Sequence, residues 1–572
     1  MCGIAGIITQ KKEANIKKSI DLMLNLLKHR GPDGHGSWIN KQQNIAIGNT
    51  RLAIQDPTKR GNQPMSSRDG RYIIVFNGEI YNFRNIKRSL SDFNFKTNTD
   101  TEVLLYAYIK FGTRCLNKLE GFFSFVIWDN LKDELFCARD RFGIKPFYYT
   151  INQNKFIFSS EIKPILIEKK HYTPELNSIN SYLTSEYYEN IESTFYKNIF
   201  KLKPGHYIKF KDNKLHQKKF FDFLSYSQKK TYSSNNKQKK EMLENLIDNA
   251  VKKSLISDVP ISIASSGGLD SSILQYHAKK NYTHKLKLIS FDFLNKKYSE
   301  KKYVNNIQKI TNLDASYSKM TPKVFLDMIR SSCKNQEEPF AGLPIITYEH
   351  CIKKRGNYKV ILDGSGIDEA HCGYDKYFNN NKNYLKKAQD NTIIKSIISD
   401  DLKKNSNNNE YELKRFLKND QKNQMYTDLF YIKLPRALRF RDKLSMAHSC
   451  ELRPTFLDID LITFLFNLKN EDQKHGKYGK YFLRKTYEDI LGKNIVFRNK
   501  QQVQTPQREW FSHEMKKWLM DFLENAEIWD TNWIDKKKFY FLFKRFLDGK
   551  EKNSFFIWKV INLEFWKKTY FK

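Results

Sequence analysis

Along the first 210 or so positions, apolar residues come in short runs separated by polar turn signals. Cys2 to Ile8, Tyr72 to Phe76, Phe122 to Trp128 and Lys155 to Ser159 have the period-two or continuously apolar pattern of strands. Two stretches carry the helical period instead. Ile16 to Lys28 is apolar at Ile16, Ile20, Met23, Leu24 and Leu27, and Thr101 to Phe111 follows Asp100, placed as its N-cap. Lys203-Pro204-Gly205-His206 marks a turn before a last strand, Tyr207 to Phe210. Positions 211–240 are polar and read as a linker, although the patch FFDF inside them is expected to pack. From Lys240 onward, long helical patterns alternate with short apolar strands at Ile261 to Ala264, Leu286 to Phe293 and Val360 to Leu362. That alternation predicts a parallel α/β sheet. Asp400 to Asn409 reads as a surface loop, and the chain from about 505 reads as helical, aromatic and basic. No internal repeat is visible.

Composition narrows the class. The 572 residues allow roughly two to four domains with real cores. With 40% hydrophobic and 14% aromatic residues, the chain is not of a disordered type. No apolar run reaches bilayer length and no basic-then-apolar leader is present, so a cytoplasmic protein without membrane insertion is expected. The seven cysteines are scattered, without a CxxC pair, which argues against a disulfide framework or a zinc site. The net charge of +36 raises a nucleic-acid reading. The lysines are spread among many asparagines and no reading motif accompanies them, so no specific nucleic-acid binding is expected.

Chemistry begins at MCGIAG. Cys2 can be the first apolar residue of a buried strand. If Met1 is removed, Cys2 also carries a thiol beside its own free α-amine, a nucleophile and its general base in one residue. Three segments could serve it. His29-Arg30-Gly31-Pro32-Asp33 is a tight turn, and Arg51 enters an apolar strand, where it could clamp a carboxylate. Asn77-Gly78 follows YIIVF; it is a common hairpin turn, but it can also aim two donors at an oxyanion.

Together MCGI, HRGPD, RL-I, NGEIYN, DTE, RDRFGIKPFYY and PGHY resemble, in order, the class II glutamine amidotransferases. The resemblance implies that Cys2 is the processed nucleophile of a glutaminase. It further implies an oxyanion hole from Asn77 and Gly78, and glutamine binding by Arg51, Asn77, Glu79 and Asp100.

The second half contains ISIASSGGLDSSILQYH, a strand, a Ser/Gly loop and a helix, whose backbone N–H groups suit an anion. No lysine follows the second glycine, which excludes the common Walker loop. SGGLDSS is similar to the pyrophosphate loop of the ATP-pyrophosphatase group. A glutaminase followed by this loop resembles glutamine-hydrolysing asparagine synthetase. The resemblance implies an α+β N-terminal-nucleophile αββα sandwich over 1–210, a linker at 211–240, and an α/β parallel-sheet ATP-pyrophosphatase domain with extra helices over 241–572. It implies ATP held by Ser266, Gly267, Gly268, Leu269, Asp270, Ser271, Ser272, Ser290, Asp363, Gly364 and Lys480, and Mg²⁺ held by Asp270 and Asp368. Arg484, Arg498 and Lys500 are weaker candidates for the same basic wall. The implied partners are glutamine, ATP and aspartate or another carboxylate, and a homodimer is left open.

One loop departs from the pattern. Well-known members read SGEG before the DE pair, whereas here the residues are Asp363-Gly364-Ser365-Gly366. Ser365 cannot act as a general base near neutral pH. Ala370 and Cys372-Gly373 also stand where the family tends to carry a larger aliphatic residue and a Gly-Gly pair. The acceptor could therefore be aspartate or a different acid, such as a uronic acid of a surface glycan.

Overall fold

The structure is a computed structural model that describes residues 2–152, 154–169, 171–185, 188–189, 192–378, 392–406, 415–498 and 505–571. In chain order, the strands of the first half are β1 (Cys2–Thr9), β2 (Gly34–Ile39), β3 (Ile45–Arg51), β4 (Met65–Ser66), β5 (Tyr72–Ile80), β6 (Gly121–Asp129), β7 (Glu134–Arg139), β8 (Tyr148–Asn152), β9 (Lys155–Ser159), β10 (Phe200–Lys201), β11 (His206–Lys211) and β12 (Lys214–Lys219). They form two antiparallel six-stranded sheets, ordered β10-β8-β9-β1-β3-β2 and β12-β11-β7-β6-β5-β4. Alternate residues explain the stacking. Ile4 and Ile8 of β1, Ile73 and Val75 of β5, and Val126 and Trp128 of β6 share the core between the sheets. Their neighbours point outward. Ala5 and Ile7 meet the helices Ile16–Leu27 and Ile162–Lys169. Ile74, Phe76, Phe123 and Phe125 meet the helix Asp100–Phe111. Because both faces of these strands are covered, they read as continuous apolar runs rather than clean alternation. The result is the αββα sandwich.

The second half has a parallel sheet ordered β15-β14-β13-β16-β17, built from β13 (Ile261–Ala264), β14 (Lys287–Phe293), β15 (Ala315–Met320), β16 (Val360–Asp363) and β17 (Glu451–Pro454). The chain moves outward from β13 through β14 and β15, then returns to the other side of β13 for β16. Such a reversal opens a crevice at the carboxyl ends of the two central strands.

Several expectations change. The segment 211–240 contains β12 and the helix Phe223–Gln228, and another helix starts at Asn236. Strand β12 extends the second sheet by pairing with β11. Phe223 is buried in the core of the second half beside Phe430 and Phe466, so FFDF ties this segment down. Asp400–Asn405 is a short helix capped by Ser399, whose side chain accepts from Leu402 N–H; positions 407–409 of the expected loop lie outside the described residues. Thr99, not Asp100, caps the helix at Asp100–Phe111 by accepting from Glu102 N–H.

The two halves are joined by buried charge and by the carboxy-terminal helices. Arg30 is fully buried. Its Nη1 donates to Glu161 at 3.0 Å and to Asp442 of the second half at 2.9 Å, and its Nη2 donates to Asp442 at 3.3 Å. Burial disfavours its charge, but Asp442 and Glu161 outweigh burial and raise the guanidinium above its ordinary range. Glu337 of the second half accepts from the N–H groups of Ile162 and Lys163, capping a helix of the first. The last helix, Phe555–Tyr570, buries Trp558 and Trp566 in a core that includes residues of both halves. Trp566 Nε1 donates to Tyr196 Oη and to the Glu337 carbonyl, both at 2.9 Å.

Removing one partner of a buried ion pair strands the other. Asp442→Ala should therefore lower unfolding free energy by about 3–5 kcal/mol, read by urea denaturation. Unchanged stability would mean that Arg30 and Glu161 suffice alone.

Candidate active sites

Strand β1 runs beside β3, and Cys2 lies opposite Arg51 in register. Cys2 is buried, and its backbone nitrogen donates to Asn77 Oδ1 at 3.1 Å. Asn77 and Gly78 do not make the hairpin turn that Asn-Gly suggests. They lie inside β5, opposite Ser124 and Phe123 of β6. A Cβ on Gly78 would come within 2.2 Å of the Phe122 carbonyl oxygen, so only glycine fits this close pairing. The Asn77 amide spends its oxygen on Cys2, while its Nδ2 is buried without a protein partner among the described residues. A buried donor left open beside a thiol-bearing residue is suited to a negative charge that appears only during reaction.

Arg51 is held differently from expectation. Its Nη1 donates to Thr58 O and Asn62 Oδ1, and its Nη2 to Gln55 O and Asp56 O, at 2.6, 3.2, 3.1 and 2.5 Å. Those four contacts leave only Nε of its five donors for a ligand unless the loop 55–62 shifts. Glu79 accepts from Gln55 Nε2 and lies 3.7 Å from Arg453 Nη2 of β17. Burial and the nearby Glu451 push its carboxyl well above the usual range, against Arg453. Asp100 accepts from Ile80 N–H at 2.9 Å, and burial raises its carboxyl from the usual 3.8 to about 6. Sequence reasoning missed the second half's contribution here: Arg453 and Glu451 approach this site from β17, a placement that no spacing within the first 210 residues reveals.

The second site is the crevice predicted by the strand order. A cavity of about 450 Å³ is lined by Ser266, Gly268, Leu269, Asp270, Ser271, Asp363, Gly364, Asp368 and Lys480, all expected there. Gly267 makes the turn behind it, at φ +60°, where a Cβ would strike the Tyr303 backbone. Ser272 and Ser290 are buried outside the cavity lining. Ser272 lies in the first turn of the helix Leu269–Asn281, and Ser290 lies within β14 rather than at its end. Lys480 precedes the helix Tyr481–Leu491 in a left-handed conformation, so Lys480 and Arg484 are not two positions of one helical face. Its Nζ contacts Asp270 Oδ2 and Asp368 Oδ1, each at 2.5 Å. Burial opposes the ammonium, but the two carboxylates raise it above its ordinary range.

Arg484 spends its guanidinium on the carbonyls of Gly479 and Val496, bracing the turn beside Lys480. Arg498 donates to Gly267 O at 3.1 Å and stacks over Tyr303. Lys500 lies outside the described residues. The cavity is also lined by Glu300, Tyr348, Tyr374, Lys433 and Arg441, which the spacing of the Ser/Gly loop did not signal. Burial lifts the Glu300 carboxyl to about 7, opposed by Arg498. Asp363 accepts from Ser365 N–H at 2.9 Å, from the Ser365 hydroxyl and from Arg441 Nη1 at 2.6 Å.

Two carboxylates converging on one cation make an oxygen-donor set of the kind Mg²⁺ shares with phosphates. Asp270 and Asp368 fit such an ion, with Lys480 now supplying the positive charge between them.

The model described as a glutamine amidotransferase domain matches residues 1–221, and the model described as asparagine synthase matches residues 242–568. The chain belongs to the asparagine synthase family. Glutamine-hydrolyzing asparagine synthetase 1 of Bacillus subtilis is 27% identical over 99% of this chain and 96% of its own length. A protein of Methanocaldococcus jannaschii named putative glutamine-hydrolyzing asparagine synthetase 2 is 36% identical over 66% of this chain and 76% of its own. A Gibberella zeae protein named amidase chry2 is 28% identical over 66% of this chain and 60% of its own. Membership in the asparagine synthase family supports glutamine-dependent amidation and implies use of ATP. No helix of the described residues is long and apolar enough to cross a membrane.

The Asp100 carboxyl has a folded pKa above its unfolded value. Its contribution to stability is therefore full below about pH 3.8 and is lost as pH rises through about 6. Asp100→Asn should remove that loss, so the variant's stability relative to the wild type should grow between pH 4 and 6 in denaturation curves. A constant difference across that window would contradict burial as the cause.

Proposed function

We propose that this chain is a glutamine-dependent asparagine synthetase. The observation that carries the reading is the presence, in one chain, of Cys2 bonded to Asn77 and of Lys480 between Asp270 and Asp368. After loss of Met1, the Cys2 α-amine takes the thiol proton, oriented by its bond to Asn77 Oδ1. The thiolate adds to the side-chain amide carbon of glutamine. Asn77 Nδ2 and the Gly78 N–H donate to the oxyanion. The amine returns the proton to the leaving nitrogen, ammonia departs, and water hydrolyses the thioester to glutamate. Arg51 would meet the glutamine α-carboxylate with its charge, and Glu79 and Asp100 its amine.

At the second site, the loop Ser266–Ser272 and the start of the helix at Leu269 hold the ATP phosphates. Mg²⁺, when bound by Asp270 and Asp368, neutralises charge on those phosphates. The β-carboxylate of aspartate attacks the α-phosphorus and pyrophosphate leaves, its charge met by Lys480. Ammonia then displaces AMP and the side-chain amide forms. The reading includes work in the cytoplasm, with a homodimer as a possible assembly.

A second reading keeps both sites and changes the acceptor to another carboxylate, such as a uronic acid. It is favoured by Ser365, which stands in the loop before Asp368 at the position where well-known members carry a glutamate.

Cys2→Ala should abolish glutamine-supported amide formation while ammonium chloride still supports it. Asp270→Asn should cut pyrophosphate release about 10²–10³-fold. The deciding assay is pyrophosphate release with Mg-ATP and glutamine, with and without L-aspartate. Aspartate-dependent release with equal asparagine supports the first reading. Release that ignores aspartate but responds to a uronic acid supports the second.

A further inference from the structure

The cavity of the second site has two unlike walls. One carries the cations that stand by the phosphate loop. Lys480 is held by Asp270 and Asp368, Arg484 by the Gly479 and Val496 carbonyls, and Arg498 by the Gly267 carbonyl. These residues belong to the helix Tyr481–Leu491 and its flanks, which pack against the helix Leu269–Asn281 that follows the loop. The other wall is made by the helix Lys433–Met446, packed against Gly342–Lys353 and β17. It presents Arg441 and Lys433 to the same cavity, beside Tyr348 and Tyr374.

Arg441 differs from Lys480 and Arg484, whose donors are spent on neighbouring carboxylates and carbonyls. Only its Nη1 is engaged, on Asp363 Oδ1 at 2.6 Å. Its Cζ lies 5.7 Å from the centre of the Tyr348 ring. Nη2 and Nε have no hydrogen-bond partner among the described residues, although the side chain is only 25% exposed. Burial disfavours the charge, but Asp363 and Tyr348 hold the guanidinium above its ordinary range, so it stays cationic at any working pH. A half-buried guanidinium with an open edge is a bidentate seat for a carboxylate or phosphate. Asp363 fixes its plane and occupies the other edge.

Resting on the amide-forming reading above, we propose that Arg441 binds a second anionic group of the acceptor. The acceptor then carries at least two anions: the carboxylate that is activated by ATP, and another that Arg441 holds across the cavity. Aspartate meets this requirement with its α-carboxylate. A nucleotide-linked uronic acid meets it with its diphosphate. A simple uronic acid glycoside, with a single carboxylate, does not. Arg441 thus sets the substrate class by charge, independently of Ser365.

The test measures initial rates of pyrophosphate release with Mg-ATP and ammonium chloride on the full chain. Four acceptors are compared: L-aspartate, its α-amide, UDP-glucuronate and methyl glucuronoside. Release is expected with a member that keeps two anions and is expected to fall at least about tenfold in kcat/KM with its one-anion counterpart. For the acceptor that works, Arg441→Gln should raise KM about tenfold or more, with KM for ATP within about twofold. Arg441→Lys should recover part of the loss. Thermal unfolding of each variant separates a folding defect from a binding one. Arg441→Gln that lowers Tm and kcat but leaves acceptor KM unchanged makes Arg441 only a brace for Asp363 and overturns the proposal. So does a one-anion acceptor that serves as well as its two-anion counterpart. Failure of all four acceptors to release pyrophosphate overturns the amide-forming reading together with this one.

Discussion

The fully buried Arg30 guanidinium is the point through which both halves are positioned. It donates to the Cys2 carbonyl at 3.2 Å, to Glu161 beside it, and to Asp442 on the helix Lys433–Met446 of the second half. Lys145 approaches Asp442 at 3.5 Å, and Lys163 and His29 each meet Glu161 at 3.0 Å. Burial would push the Glu161 carboxyl up, but His29, Lys163 and Lys443 hold it well below its ordinary range. A buried ionic network of this kind contributes little net stability compared with apolar packing, but it tolerates only one arrangement of its members. It therefore fixes where Cys2 lies relative to the helix that carries Arg441.

A second link runs through the edge strand β17. Arg453 is fully buried and donates to Glu451 and to the Ser254 and Ile256 carbonyls, while its Nη2 faces Glu79 of the first site. The same strand pairs with β16, and Thr455 N–H, just beyond its end, donates to the Asp363 carbonyl at 2.9 Å. One short strand thus reaches the Glu79 carboxylate of the first site and, at its end, the Asp363 backbone of the second. The amino-terminal half does not supply all of the charge around Glu79; Arg453 and Glu451 of the other half contribute part of it.

Much of this was legible in the sequence where local chemistry decides. The strands of β1, β5, β6 and β9 follow from their apolar runs, and the helix at Ile16 from its period. The loop between β13 and the helix Leu269–Asn281 follows from its Ser/Gly string between a strand and a helix. The failures share one cause, tertiary context overriding a local preference. Asn77-Gly78 has turn chemistry, but pairing with β6 keeps it extended. The segment 211–240 is polar enough for a linker, but its outer strand completes a sheet edge and needs only one buried face. Asp100 has capping chemistry, but the Ile80 N–H captures its carboxylate and leaves Thr99 to cap. Arg441, Arg453 and Lys480's bridging role depend on residues far away in the chain, and spacing carries no such information.

The carboxy-terminal helix imposes an order in time. Asn562 accepts from Tyr182 Oη, a contact spanning 380 positions, and Trp566 closes over Tyr196 from 370 positions away. Loop closure over such separations comes late in folding, because local contacts form before distant ones reward their entropy. A ribosome-bound chain therefore carries an amino-terminal sandwich with one flank uncovered until the helix Phe555–Tyr570 has been made. Its aromatic surface there stays open while the intervening 370 or so residues are added, which is the interval in which a chaperone would have something to hold.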